Sequence, residues 1–511
     1  MASTQPDRDD PQGLTSTLDA LTWHQPLARY GQTYGRETAP TPLGSPTLEV
    51  FNSTLAADLG IDPAAESRTD TAEILAGGRV PEGATPFAQL YAGHQFGVWV
   101  PQLGDGRAIS LGQIRDRSGR FRDIQLKGAG LTPYSRTADG RAVLRSTIRE
   151  YLASEALHAL GIPTTRALSL CASPDPVYRE TVETAAVLAR VAPSHIRFGS
   201  FEVLFYRKQF ADLKPLADRL IEDHFPAAAS VSDPQDRYAA WVGEVIERTA
   251  DLIARWQAVG FCHGVMNTDN MSALGLTIDY GPYGFMDAYE PGWICNHTDH
   301  IGRYAYDQQP DVGLWNLSRF VQAILPLLAD EPDPAVEIGQ SLLEAYRPRF
   351  VTAYMTQFRA KLGLSSRQEQ DGELLDDLLA LMARDKADFT RSFRSLSDTP
   401  GQADHGNAPF HDEFSDREAA ARWLARWRAR LEQDGLSEQE RQGRMRAANP
   451  RYVLRNYLAQ QAIEAAQAGD FSVMQRLGRV LERPFDEQPE HAELARLPPD
   501  WARHISVSCS S

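Results

Sequence analysis

The sequence predicts an α+β chain, β-rich in its first part and mainly helical afterwards. Three observations carry that expectation. Short apolar runs punctuated by glycine turns fill residues 91 to about 200, as at Gly104-Asp105-Gly106-Arg107 and Lys127-Gly128-Ala129-Gly130. Helical periodicity dominates from there to about residue 400. A further helical part, with Trp423 and Trp427 one turn apart, closes the chain.

In chain order, residues 1 to about 20 read as a flexible polar tail. Leu48–Asn52 is a strand, followed by a helix over Ser53–Leu59 with Gly60 as its cap. The stretch 71–86 is mostly loop-like, with Gly77-Gly78, Pro81 and Pro86. Ala108–Gly112 and Phe121–Leu126 form a hairpin turning near Ser118-Gly119. In Gly140–Leu160, Val143, Ile148, Leu152, Ala156 and Leu160 share one helical face. Ala167–Cys171 and Thr184–Val191 are strands. Tyr238–Val259, Leu314–Leu328, Ala335–Leu362 and Gly372–Arg384 are helices. Leu274–Ile278 is a short strand. Residues 397–407 are a polar boundary loop, and Asp416–Gln433 and Pro450–Glu482 are helical, with both tryptophans in the core.

With 511 residues the chain has room for several subdomains. A formal net charge of −16 argues against a general nucleic-acid binder, which needs lysine and arginine to neutralise phosphates. Met1–Gly13 has no apolar core of a signal peptide, and no run of 18 apolar residues offers a membrane span. Cys171, Cys262, Cys295 and Cys509 lack CxxC spacing, so a structural zinc ribbon is not indicated. A reduced, cytoplasmic protein is the expectation.

The chemistry concentrates in His263-Gly264-Val265-Met266-Asn267-Thr268-Asp269-Asn270, followed by Asp279-Tyr280-Gly281. Acidic and amide oxygens on a short loop, with an acid after the next strand, suit a hard divalent cation and a nucleotide phosphate. Upstream, the Gly104–Arg107 turn lets backbone approach phosphate oxygens or is a plain hairpin turn. No Walker A run and no full GxGxxG occur. Lys127 ends an apolar strand; it is either a surface lysine or a phosphate ligand fixed by a glutamate of the next helix, Glu150 or Glu155. Arg190 and Arg197 either clamp phosphate or are solvated.

Aminoglycoside-kinase-type enzymes carry His-Gly-Asp-x-x-x-x-Asn, in which the Asp is the base and the Asn a metal ligand. Here His263-Gly264 and Asn270 keep that separation, but Val265 stands at the position of the base. A carboxylate appears instead at Asp269. Glycine turn, strand lysine, helix glutamate, His-to-Asn loop and Asp-x-Gly follow in kinase order.

Tyr91-Ala92-Gly93-His94-Gln95-Phe96-Gly97, Leu126–Arg136, His263–Met271 and Asp279-Tyr280-Gly281-Pro282 together resemble the selenoprotein O family, from about Phe51 to the C-terminus. The resemblance implies a protein-kinase-like two-lobed fold. Its parts would be an N-terminal extension over 1–90, an N-lobe over 91–200, a C-lobe over 201–400 and a helical region with a redox-type tail over 401–511. It implies transfer of AMP from ATP to protein Ser, Thr or Tyr hydroxyls, with UTP and manganese used by some members. It assigns Gly104, Gly106, Arg107, Lys127, Asp139, Gly140, Arg190, Arg197 and Asp279 to nucleotide, and pairs Lys127 with Glu150. Asp269 would be the base, and Asn270 and Asp279 would hold Mg²⁺ or Mn²⁺. Partners would be protein substrates and nucleotide, with no nucleic acid and no membrane, and the protein would be a monomer. The resemblance also suggests a redox pair, Cys295 and Cys509; as alternatives, Cys509 is a tail thiol with no role, and the run Cys295–His300 is a metal site. Two rival functions are a phosphotransferase and an inactive nucleotide-binding scaffold.

Overall fold

A computed structural model describes residues 13–15, 17–401 and 409–508. The chain is α+β and divides into two units. Residues 1–90, 102–147 and 166–195 make the first; residues 91–101, 148–165 and 196–511 make the second.

The first unit is built on one antiparallel sheet. Its strand order is Gly35–Glu37, Phe87–Gln89, Ala108–Arg115, Phe121–Lys127, Val182–Ala192, Arg166–Tyr178 and Thr47–Phe51, with Ala142–Val143 pairing to Val182–Ala192. The expected hairpin forms, with Ala108 opposite Lys127 and Arg115 opposite Phe121. The two later strands are longer than their apolar cores, because their polar ends continue the ladder as far as Tyr178–Val182. Ile109, Leu111, Ile124, Leu126, Val187 and Ala189 bury a continuous apolar face. Residues 71–86 are mostly loop, as expected, but they open inside a helix. The helix Thr69–Leu75 buries Thr71, Ile74 and Leu75, and the glycines and prolines begin only after it.

The second unit is mainly helical. Its longest helix, Pro234–Ala258, is capped by the Asp233 carboxylate, which accepts from Gln235 N and Asp236 N. The expected single helix over Ala335–Leu362 is two, Pro332–Glu344 and Tyr346–Leu362. Pro348 lacks an N–H and so fits the first turn of a new helix better than the middle of an old one. Pro450–Glu482 likewise resolves into Asn456–Gln467 and Ser472–Leu481, and Glu438–Ala448 precedes them. Phe389–Ser397 is helical up to the expected boundary loop, part of which (402–408) lies outside the described residues.

Trp423 and Trp427 are core, as expected. Both are buried, and their ring N–H groups donate to the carbonyls of Leu374 and Leu362, each at 2.9 Å. Leu274–Ile278 does not form a regular strand. The chain turns at Gly275, with φ +69°, and Thr277 makes only isolated bridges to Thr164 and Met271. No helix among the described residues is long and apolar enough to cross a membrane.

Candidate active site

The candidate site in the second unit starts from a two-strand support. Phe261–Cys262 pairs with Gly284–Phe285, so both loops leave one small ladder. Between them, buried amides pin the chain. His263 N–H donates to Gln309 Oε1 at 2.9 Å, and Gln309 Nε2 donates to Phe261 O at 3.0 Å. Asn296 Nδ2 donates to Gly264 O at 3.0 Å and Asn316 Nδ2 to Met266 O at 2.9 Å. A loop carbonyl buried without a donor would cost roughly 1–3 kcal/mol, so these amides hold the loop in one shape.

His263 is part of that scaffold. Its imidazole Nε2 donates to Ile278 O at 2.9 Å, tying the loop to the residue before Asp279. Burial pushes its pKa below the ordinary histidine value, which keeps the ring neutral.

Asp269 lies in the one-turn helix Thr268–Asn270. Its Oδ2 accepts from Gln95 Nε2 at 3.2 Å, while Oδ1 is buried with no hydrogen-bond partner among the described residues. Burial pushes this carboxyl up to about 7, partly opposed by Gln95 and by Arg197. Val265, next to a glycine and without a proton-accepting atom, is buried. Asn270 Nδ2 donates to Val265 O at 2.9 Å, which leaves the amide oxygen as its acceptor atom.

Asp279 sits at φ +56°, in the left-handed region that costs a non-glycine residue on the order of 1 kcal/mol. Its carboxylate pairs with the Arg197 guanidinium. Arg197 directly precedes the helix Phe198–Tyr206, and the same nitrogen, Nη1, donates to Asp269 O at 2.7 Å. The guanidinium lies 4.3 Å from the centre of the Tyr91 ring. Arg197, Asp269, Asn270 and Asp279 are thus brought together. Past Asp279, Arg149 Nη2 donates to Tyr283 O and the Tyr283 hydroxyl donates to Arg149 O, both at 2.7 Å. Glu150 is buried beside that arginine, and its charge helps raise the Tyr280 and Tyr283 hydroxyl pKa values, after the larger effect of burial.

The first unit carries Gly104, Gly106, Arg107, Lys127, Asp139, Gly140 and Arg190. The Gly104–Arg107 turn is locked from the other side: Thr132 Oγ1 donates to Asp105 O at 2.6 Å and Ser135 Oγ donates to Gly106 O. Arg107 is exposed, and its carbonyl accepts from Gly128 N at 2.6 Å, beside Lys127. Lys127 is buried at the end of its strand, not a surface lysine. Arg190 is buried within its strand. Its Nε donates to Gln125 Oε1 at 2.7 Å, and Gln125 Nε2 donates to Asp105 Oδ2 at 3.0 Å. Asp139 is engaged by Arg179 at 2.8 Å, which holds its carboxyl below the ordinary range.

Sequence reasoning assigned no role to Tyr91–Gly97, although it singled the run out. Nor did it find Asn267, whose Oδ1 accepts from Phe96 N at 3.1 Å and from the Tyr304 hydroxyl at 2.6 Å. In the run Cys295–His300 the Asp299 carboxylate accepts from Arg303 N at 3.0 Å and Tyr304 N at 2.7 Å, and among the described residues no group of three or more His, Cys, Asp or Glu side chains is placed to hold a metal ion. Cys295 is buried, and its thiol, pushed well up by burial, donates to Cys262 O at 3.5 Å. Cys509 lies outside the described residues.

Residues 17–482 match the family described as Protein adenylyltransferase SelO. The chain belongs to that family. The match begins earlier than Phe51, and it makes the chain a transferase of the nucleotidyltransferase class. Relatives named Protein nucleotidyltransferase YdiU agree. That of Thioalkalivibrio sulfidiphilus is 52% identical over 97% of this chain and 99% of its own length. Those of Thiobacillus denitrificans and Myxococcus xanthus are 51% and 49% identical, each over 97% of this chain and 100% of their own length.

Proposed function

We propose that this SelO-family chain transfers AMP from ATP to Ser, Thr or Tyr hydroxyls of proteins, with UMP transfer from UTP and manganese as a second reaction. The observation that carries this reading is the placement of Asp269. Its buried carboxylate, with a pKa near neutrality, supplies the base that Val265 cannot.

Asp269 accepts the proton of the target hydroxyl. The hydroxyl oxygen bonds to the α-phosphorus, the bond from that phosphorus to the bridging oxygen breaks, and pyrophosphate leaves. Lys127, Arg190 and Arg197 offset the charge that develops on the phosphates. Asn270 Oδ1 and the Asp279 carboxylate are the hard oxygen donors that would hold Mg²⁺ or Mn²⁺, and the buried, unpartnered Oδ1 of Asp269 fits a site built for a further charged group. Such a cation supplies positive charge to phosphate oxygens. Gly104, Gly106, Arg107, Asp139 and Gly140 complete the nucleotide contacts. For Asp139 that contact requires sharing its carboxylate with Arg179.

The kinase-like fold, with an N-lobe over 91–200 and a C-lobe over 201–400, is part of the same proposal. The order of strand lysine, helix glutamate, His-to-Asn loop and Asp-x-Gly supports it. So are a cytoplasmic location and a monomeric state. A Cys295–Cys509 redox pair has one supporting contact: His297 N–H, two residues beyond Cys295, donates to the carbonyl of Val507, two residues before Cys509, at 3.0 Å.

The deciding experiment uses ATP labelled at the α- or the γ-phosphate, with Mg²⁺ and then Mn²⁺. Label on the target protein from the α-position supports nucleotidyl transfer. Label from the γ-position would establish the phosphotransferase instead, and none from either would leave the inactive scaffold.

A further inference from the structure

The run Tyr91–Gly97 lies along the loop that carries Asp269, and three consecutive residues of it bind three neighbouring loop residues. His94 N–H donates to Thr268 Oγ1 at 2.7 Å, Gln95 Nε2 donates to Asp269 Oδ2 at 3.2 Å, and Phe96 N–H donates to Asn267 Oδ1 at 3.1 Å. The approach is too close for a side chain at Gly93, where a Cβ would stand 2.7 Å from Asp269 Oδ1 and 3.0 Å from Asp269 N.

The run is itself held firmly. Gly93–Gln95 pairs with Val98–Val100 as a hairpin, and Phe96 turns it at φ +50°. The His94 imidazole pairs with the buried Glu202 carboxylate at 2.7 Å and is ringed by Trp99, Tyr206 and Trp315. Glu202 belongs to the helix Phe198–Tyr206, directly after Arg197. The hairpin therefore cannot drift without dragging a buried hydrogen bond and an aromatic cluster with it.

We propose that Gln95 is a positioning residue for the base: its amide N–H, donating to Oδ2, fixes the rotation of the Asp269 carboxylate and so holds it in place to accept the substrate proton. This inference rests on the reading of Asp269 as the base. A carboxylate has two equivalent oxygens and a soft terminal torsion, so one donor on one oxygen decides where the other points. The other groups acting on Asp269 are Arg197, at its backbone oxygen, and the Asp279 carboxylate; Tyr304 faces the same loop through Asn267.

The test compares Gln95→Leu, which removes the donor and the polarity, with Gln95→Glu, which keeps the shape but replaces the donor by an oxygen. The full-length protein is assayed for AMP transfer, alongside Asp269→Asn. Both Gln95 variants are expected to lose about 10- to 100-fold in kcat, a part of what a positioned base contributes, with KM for ATP changed less than about 2-fold. Wild-type kcat in Gln95→Glu would show that Gln95 only fills space, and a rise in KM at unchanged kcat would make it a nucleotide contact; either result overturns the proposal. An inactive Asp269→Asn with unimpaired Gln95→Leu refutes the role of Gln95 alone. An active Asp269→Asn refutes the base assignment and takes the inference with it.

Discussion

The Arg197 guanidinium holds the Asp279 carboxylate while the same nitrogen binds the Asp269 carbonyl at 2.7 Å. One cation thereby bridges the residue proposed for metal and the residue proposed as base. Nucleotide phosphates and a divalent cation would compete for both ends of this pair. Arg197→Met is expected to leave Asp279 without its counter-charge and to lower kcat/KM by at least 100-fold. Steady-state kinetics with varied ATP and varied Mg²⁺ will separate lost phosphate binding from an altered metal requirement.

Asp279→Ala is expected to abolish transfer altogether. It also removes the carboxylate partner of a buried guanidinium, so it should lower stability, by about 1–3 kcal/mol once the partial exposure of Asp279 is discounted. Denaturant unfolding, read beside the transfer assay, checks both halves. Activity within tenfold of wild type would sink the metal assignment.

Gly93→Ala should separate activity from folding. The nearest atoms the added methyl meets are Oδ1, Cβ and the backbone N of Asp269, so it displaces that residue. Transfer is expected to drop by more than 100-fold with a melting temperature within a few degrees of wild type. Equal losses in both would show that the glycine serves packing alone.

Lys361 gives a stability prediction with a sign. It is buried over the Phe393 ring at 4.4 Å, and burial alone pulls its pKa down to about 7. The unfolded chain keeps an ordinary lysine near 10.4, so between these values it binds more protons than the folded chain. Stability contributed at this site therefore rises with pH from about 7 and levels off above about 10. Lys361→Met should stabilise the protein most at or below pH 7, with the gain fading by about 1.4 kcal/mol per pH unit above it. Urea unfolding at pH 6.5, 8 and 9.5 measures this; a gain independent of pH would contradict it.

Arg455 is a structural counterpart. Buried, it pairs with Asp388 at 2.8 Å and with Asp287, joining the start of the helix Asn456–Gln467 to the cap of Phe389–Ser397. Arg455→Met leaves two carboxylates facing each other and is expected to cost about 3–5 kcal/mol. Chemical denaturation will measure it.

Much of this was legible in the chain. The hairpin Ala108–Lys127 was marked by two apolar runs and a glycine turn, and the chemistry of His263–Asn270 and Asp279 was marked by residue type and spacing. What escaped has physical reasons. The helix Thr69–Leu75 was masked by the breakers just beyond it, and Pro348 was passed over as a restart. The strand read into Leu274–Ile278 ignored the turn at Gly275. The amides of Asn296, Gln309 and Asn316 look like any polar residue until the carbonyls they satisfy are known. Gln95 shares no local pattern with Asp269, because its bond spans 174 residues.

That span has a consequence for how the protein is made. The second unit is not a continuous stretch of gene: its segment Tyr91–Pro101 is threaded inside the sequence of the first. A fragment beginning at Ile196 would carry Arg197, Asp269 and Asp279 but not the strip that orders them. During synthesis the strip emerges long before its target and must wait, unpaired, until the chain has grown past Asn270. Such late closure ties the appearance of a working base to nearly complete folding, so a truncated or half-folded chain should be inert toward nucleotide transfer.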